Sequence, residues 1–137
     1  VFHCGPAGAG ARMKLVTNVV LGLNRAALAE GLALAQGLGL DARQALTVMQ
    51  QGPAYSRIMD RKGERMLTGN FTPEARLSQH LKDVRLVLAQ GEAAGLPMPL
   101  SHAHRAILEE AEAAGLGSLD NSALIRVLTA RAAASTP

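Results

Sequence analysis

Between residues 15 and 34, Leu15, Val16, Val19, Val20, Leu23, Leu28, Leu32 and Leu34 leave hardly a helical face without a hydrophobic side chain. A helix packed on one side confines its apolar residues to a stripe, so this all-round pattern predicts a helix with neighbours on nearly every side. It is expected to begin near Ala9 or Ala11 and to run to Gln36, where Gly37-Leu38-Gly39 stops it. Gly22 and Gly31 then read as points of close approach.

Shorter helical patterns follow. Asp41 is placed to cap a second helix, with Gln44 three positions on and Ala42, Ala45, Leu46 and Met49 facing inward before Gly52-Pro53. Tyr55, Ile58, Met59 and Met66 mark a third helix, and Thr68 to Pro73 reads as a loop. Leu77, Leu81, Val84 and Leu88 form one stripe of a fourth helix, near Leu77 to Ala94, closed by Gly95-Leu96-Pro97-Met98-Pro99. A fifth is expected from about Leu100 to Ala114. A last helix, capped by Asp120, would turn Ala123, Leu124, Val127 and Leu128 inward, with a frayed tail from Ala132 to Pro137.

The composition agrees with this pattern. Of 137 residues 48% are hydrophobic and only 2% aromatic, and little strand-forming material remains after Val1-Phe2-His3-Cys4. An all-α fold in a single domain is expected. The net charge of +3 is spread along the chain and interleaved with acids. The densest basic group, Arg57, Arg61, Lys62 and Arg65, is interrupted by Asp60 and Glu64 and reads as a solvated helix face, so no nucleic-acid partner is expected. Asn18, Asn24, Arg25, Glu30 and Gln36 break up the one apolar stretch long enough to suggest a membrane span. Cys4 is the only cysteine, which excludes an internal disulfide and suits a reducing compartment, and it reads as a small buried residue. No secretory leader pattern is seen, and a cytoplasmic protein is expected.

The candidate chemistry centres on Lys14 and Asn18. Four residues apart, they share one face of the first helix, where an ammonium and a carboxamide can converge on one small polar group. Lys14 could lay its stem along apolar surface and leave its charge in water, or it could exchange a proton with a substrate from a cleft. Lys82 and Asp83 are neighbours in sequence, diverge on a helix and read as solvated charges. His102 and His104 point to opposite sides, while His3 and His80 have no spaced partner, so no metal site is expected. The stretch Gly5-Pro6-Ala7-Gly8-Ala9-Gly10 has G-x-x-G-x-G spacing with no strand after it, which suits a connector better than a dinucleotide loop.

At Gly5-Pro6-x-Gly8-x-Gly10-x-x-x-Lys14-x-x-x-Asn18 the chain resembles the β-hydroxyacid dehydrogenases, the family of 3-hydroxyisobutyrate dehydrogenase and tartronate semialdehyde reductase. The segment His80-Leu81-Lys82-Asp83-Val84-Arg85-Leu86-Val87-Leu88-Ala89 is similar to a second motif of that family. Gly95-Leu96-Pro97-Met98-Pro99 and Asp120-Asn121-Ser122-Ala123 match later landmarks. The resemblance implies an all-α helical bundle around one long central N-terminal helix, similar to the C-terminal domain of 6-phosphogluconate dehydrogenase. Residues 1–12 would end an interdomain connection and 13–137 would form the substrate and dimerisation domain, with a Rossmann domain lying N-terminal to it in the complete enzyme.

By the same resemblance Lys14 would be the catalytic lysine, Asn18 would bind substrate, and Lys82 with Asp83 would contact the NAD or NADP cofactor. The substrate would be a small 3-hydroxyacid, the assembly a homo-oligomer, and the isolated chain inactive. Two departures bear on the substrate side chain: Thr17 stands where the family often has asparagine, and Ala75 to Leu77 lack a frequent aromatic. The alternative is a non-catalytic helical module for dimerisation or binding.

Overall fold

Helix α1, Ala9–Gly37, starts directly after Gly8, whose φ of 86° is open to glycine at little cost. The computed structural model describes residues 3–135, with the side chains beyond Arg131 left aside. The remaining helices are α2 (Ala42–Gln50), α3 (Ile58–Thr68), α4 (Leu77–Ala93), α5 (Pro99–Ala113) and α6 (Ile125–Ser135), with a short 3-10 turn at Asn121–Leu124. No strand occurs among the described residues, and no helix is long and apolar enough to cross a membrane. Of the strand-forming stretch Val1-Phe2-His3-Cys4, the first two residues lie outside the described residues, and His3 and Cys4 have no regular structure.

Local signals set the boundaries. The Asp41 carboxylate accepts from the backbone N–H groups of Arg43 at 2.8 Å and Gln44 at 3.2 Å, so α2 is capped as its sequence indicates. Asp120 caps the 3-10 turn by accepting from Ser122 N. The single last helix expected after Asp120 is therefore split, because this tight turn comes first. From there α6 is helical to Ser135, further than a tail frayed from Ala132; Thr136 and Pro137 lie outside the described residues. Tyr55 is exposed and precedes α3 instead of belonging to it.

Helix α1 packs against α2, α3, α4, α5 and α6, while α4 pairs with α5. Leu28 and Leu32 of α1 meet Leu77, Leu81, Leu108 and Leu124 in the core, all nearly or completely buried. Each such leucine contributes about 1.5–3 kcal/mol through removal from water. The enclosure expected for the whole of α1 holds only for its second half. Buried positions begin at Gly22, whereas Met13, Val16, Val20 and Leu21 are about half exposed, and Leu34 is exposed at the far end. The turns before Asn18 project from the bundle, and α4 and α5 cover one side of the helix from Asn18 and Val19 onward. Gly22 is a point of close approach as expected; at Gly31 a β-carbon would meet only Met49 Sδ at 3.7 Å, an ordinary contact.

Candidate functional site

Lys14 and Asn18 lie one turn apart on α1, and Thr17 Oγ1 donates to the Lys14 carbonyl at 2.9 Å. Lys14 is on the projecting half of the helix, exposed, and its ammonium has no ion pair among the described residues. Asn18 is half-buried. It lines a narrow cleft between α1, α4 and α5 together with Asp83, Ser101, His80 and His104. The cleft has about 10 Å³ of room, enough for a single water. The structure thus brings together Asn18 and Asp83 from positions 65 residues apart. Lys82 is exposed, about a quarter turn round α4 from Asp83, and neither it nor Lys14 lines this cleft.

The histidine expected to stand alone has a neighbour. His80 and His104 have ring centroids 5.2 Å apart at a tilt of 51°. Arg25 Nη1 lies 3.2 Å from His80 Nε2, and since a guanidinium can only donate, this nitrogen accepts and the ring proton sits on Nδ1. Burial pulls the His80 imidazole down to about 3, helped by the positive Arg25 and then by His104; burial followed by Arg25 takes His104 to about 4. Both rings are neutral at pH 7. Arg25, lowered to about 10 by burial against the opposing pull of Asp120, remains a cation. Histidine pairing does not create a metal centre: among the described residues no group of three His, Cys, Asp or Glu side chains could hold an ion.

Lys62 overturns the reading of the basic cluster as wholly solvated. It is 4% exposed, with Nζ 3.0 Å from each carboxylate oxygen of the fully buried Asp120 and 3.2 Å from Glu74 Oε2. Asp120 also accepts from the backbone N–H groups of Glu74, Ala75 and Ser122 and from the Ser122 hydroxyl. Burial alone would raise its carboxyl, but these hydrogen bonds and Lys62 outweigh that and hold it well below the usual range. A usable sequence signal existed. Ile58, Met59, Lys62 and Met66 share the helical spacing of one buried stripe, as do Arg25, Leu28, Ala29 and Leu32. Cys4, expected to be buried, is exposed.

The family model described as NAD-binding of NADP-dependent 3-hydroxyisobutyrate dehydrogenase matches residues 8–128, and the chain belongs to this family of β-hydroxyacid dehydrogenases. Glyoxylate/succinic semialdehyde reductase 1 of Arabidopsis thaliana is 35% identical over 127 residues, covering 93% of this chain and 44% of that protein. Cytokine-like nuclear factor N-PAC of Mus musculus is 37% identical over 125 residues, covering 91% of this chain and 23% of that one. Among solved structures, 3-hydroxyisobutyrate dehydrogenase from Salmonella typhimurium superposes with a TM-score of 0.85 at 28% identity, covering 88% of this chain and 42% of its own. The Mycobacterium tuberculosis enzyme with L-serine gives 0.83 at 29%, covering 93% and 46%. The chain spans less than half the length of each of these relatives, and its helices correspond to the C-terminal helical region of the solved dehydrogenases.

Lys82 and Asp83 are polar groups of the kind that would meet one edge of a nicotinamide cofactor. Lys82 offers an exposed ammonium without an ion pair among the described residues, and Asp83 a half-buried carboxylate. Together they can meet a polar carboxamide or ribose edge, whereas a diphosphate needs a cradle of several backbone N–H groups.

Proposed function

We propose that this domain is the substrate side of an NAD(P)-dependent 3-hydroxyacid dehydrogenase that interconverts a small 3-hydroxy acid and its semialdehyde. The reading is carried by the convergence of Asn18 and Asp83 on one cleft, one turn from Lys14, in a chain of this family. The Lys14 ammonium donates a proton to the substrate oxygen as the aldehyde is reduced, and its amine takes that proton back in oxidation. Asn18 orients the same oxygen through its carboxamide. Lys82 and Asp83 would hold the cofactor, which supplies or accepts the hydride when bound. The phosphate cradle is assigned to an N-terminal dinucleotide-binding domain, with residues 1–12 as the connection and 13–137 as the helical unit.

The exposed apolar face at Met13, Val16, Val20 and Leu21 supports docking of that domain and of a second copy of the chain. The sole cysteine suits a cytoplasmic setting. In the complete enzyme Lys14→Ala is expected to lower kcat by about 10²–10⁴-fold with cofactor binding retained. Lys14→Arg should not rescue it, because a guanidinium cannot act as the base. Asn18→Ala should be milder and show more in KM. Retention of more than about a tenth of the wild-type kcat by Lys14→Ala would refute the proton-transfer role. It would favour a non-catalytic helical module instead, a reading supported by the relatives named as nuclear factors.

A further inference from the structure

A second cleft, between α1, the start of α3, residues 74–75 and Asn121, has about 490 Å³ of room and is lined by Arg25, Arg57, Arg61, Lys62, Glu74 and Asn121. That volume lies within the range of small-molecule sites. Its charges do not cancel. Lys62 is neutralised by Asp120, and Glu74 is taken up by Lys62 and by Arg65 at 2.9 Å. Arg25, Arg57 and Arg61 are left without a carboxylate partner among the described residues.

Arg25 is the decisive member. It is 4% exposed, and its Nε is buried with no hydrogen-bond partner, as is Oδ1 of Asn121 in the same wall. A guanidinium stays charged at neutral pH, and the negative charge that acts on Arg25 is that of Asp120, which is already engaged by Lys62. A buried guanidinium with no carboxylate of its own favours an anion in the adjoining cleft. Guanidinium forks match the paired oxygens of carboxylate and phosphate groups, and the Asn121 carbonyl accepts from a hydroxyl.

We propose that this cleft binds a small dianionic oxyanion bearing a hydroxyl, either a phosphate group or a hydroxylated dicarboxylate. Arg61 and Arg57, exposed at the mouth of the cleft, capture the ligand. Arg25 closes on its inner oxygens, and Asn121 reads the hydroxyl. Lys62 shapes the wall without supplying net charge, since Asp120 holds it.

The test is calorimetric titration of the intact protein with inorganic phosphate, L-malate and succinate at constant ionic strength set by chloride. Saturable one-site binding of phosphate or malate is expected, weakened about tenfold or more by Arg61→Gln and further by Arg57→Gln/Arg61→Gln. Both substituted side chains are exposed, so circular dichroism should be unchanged. Tighter phosphate binding identifies a phosphate ligand; tighter malate binding, with succinate weaker and the difference lost in Asn121→Ala, identifies a hydroxylated dicarboxylate. Heats no different from chloride, or binding untouched by Arg57→Gln/Arg61→Gln, would overturn the site. No turnover is read, so the outcome is independent of the role of Lys14.

Discussion

Gly22 of α1 lies against the imidazole of His80: a β-carbon there would stand 2.9 Å from both Cε1 and Nε2 of that ring and 3.1 Å from Cε1 of His104. Rigid rings wedged between three helices cannot give way as a methionine tip can. Gly22→Ala is therefore expected to destabilise the fold by about 1–3 kcal/mol through overpacking. Gly31→Ala, whose β-carbon meets only Met49 Sδ at 3.7 Å, should instead be neutral or stabilising by up to about 1 kcal/mol through helix propensity. Urea unfolding of the two variants should give shifts of opposite sign, and equal losses would contradict the ring contact.

The same two rings predict a pH response. Their folded pKa values, about 3 for His80 and about 4 for His104, lie below the ordinary 6.5. The unfolded chain therefore binds more protons, and stability rises with pH in this window. The contribution is complete above pH 6.5 and is lost progressively as pH falls toward 3. The expected loss between pH 7 and 4 is on the order of a few kcal/mol. Carboxylates such as Asp120 and Glu74 add losses only at the acid end, so His80→Gln/His104→Gln should flatten the melting temperature between pH 6.5 and 5. A slope there unchanged by the double substitution would contradict the assignment.

The Lys62–Asp120 pair should reveal itself by asymmetry. Lys62→Met leaves a buried carboxylate without its ammonium and is expected to cost about 3–5 kcal/mol. Lys62→Met/Asp120→Asn removes the charge and keeps one acceptor oxygen, which can serve the Glu74 and Ala75 N–H groups or the Ser122 N–H but not both, because these bond different oxygens of Asp120. Only part of that loss should therefore return. A double variant as unstable as the sum of its singles would show that the two side chains are not coupled.

Residues 1–137 alone are expected to bind neither NAD nor NADP with micromolar affinity and to turn over no hydroxyacid, since Lys82 provides one charge-assisted contact to a large ligand. Calorimetry reads the first statement and a reduction assay the second. Sedimentation should detect self-association through Met13, Val16, Val20 and Leu21, and Val16→Glu/Val20→Glu should reduce it.

The sequence discloses what local spacing controls. Lys14 and Asn18 share a face because four residues make about one turn, and Asp41 and Asp120 announce turns that they do cap. The family motifs single out Asn18 and Asp83 separately, and only the fold shows that they line one cleft. What stayed hidden depends on contacts distant in sequence. Lys62 lies among alternating charges, and its burial is decided by an acid 58 residues away. His80 meets His104 from a different helix. The apolar circumference of α1 likewise does not say which of its turns the other helices reach: α4 and α5 meet it from about Asn18 onward, and Met13 and Val16 before that are left largely exposed.

Helix α1 also acts as a ruler. It is uninterrupted from Ala9 to Gly37, and at about 1.5 Å per residue Asn18 stands about 6 Å and Arg25 about 16 Å along the axis from Lys14. Eleven residues at about 100° each fall within about 20° of three full revolutions, so Lys14 and Arg25 share one azimuth. Deleting a single residue between Asn18 and Arg25 would swing the lysine and asparagine about 100° away from the arginine while leaving every side chain present. The register of one helix, more than any contact, keeps the two clefts in phase.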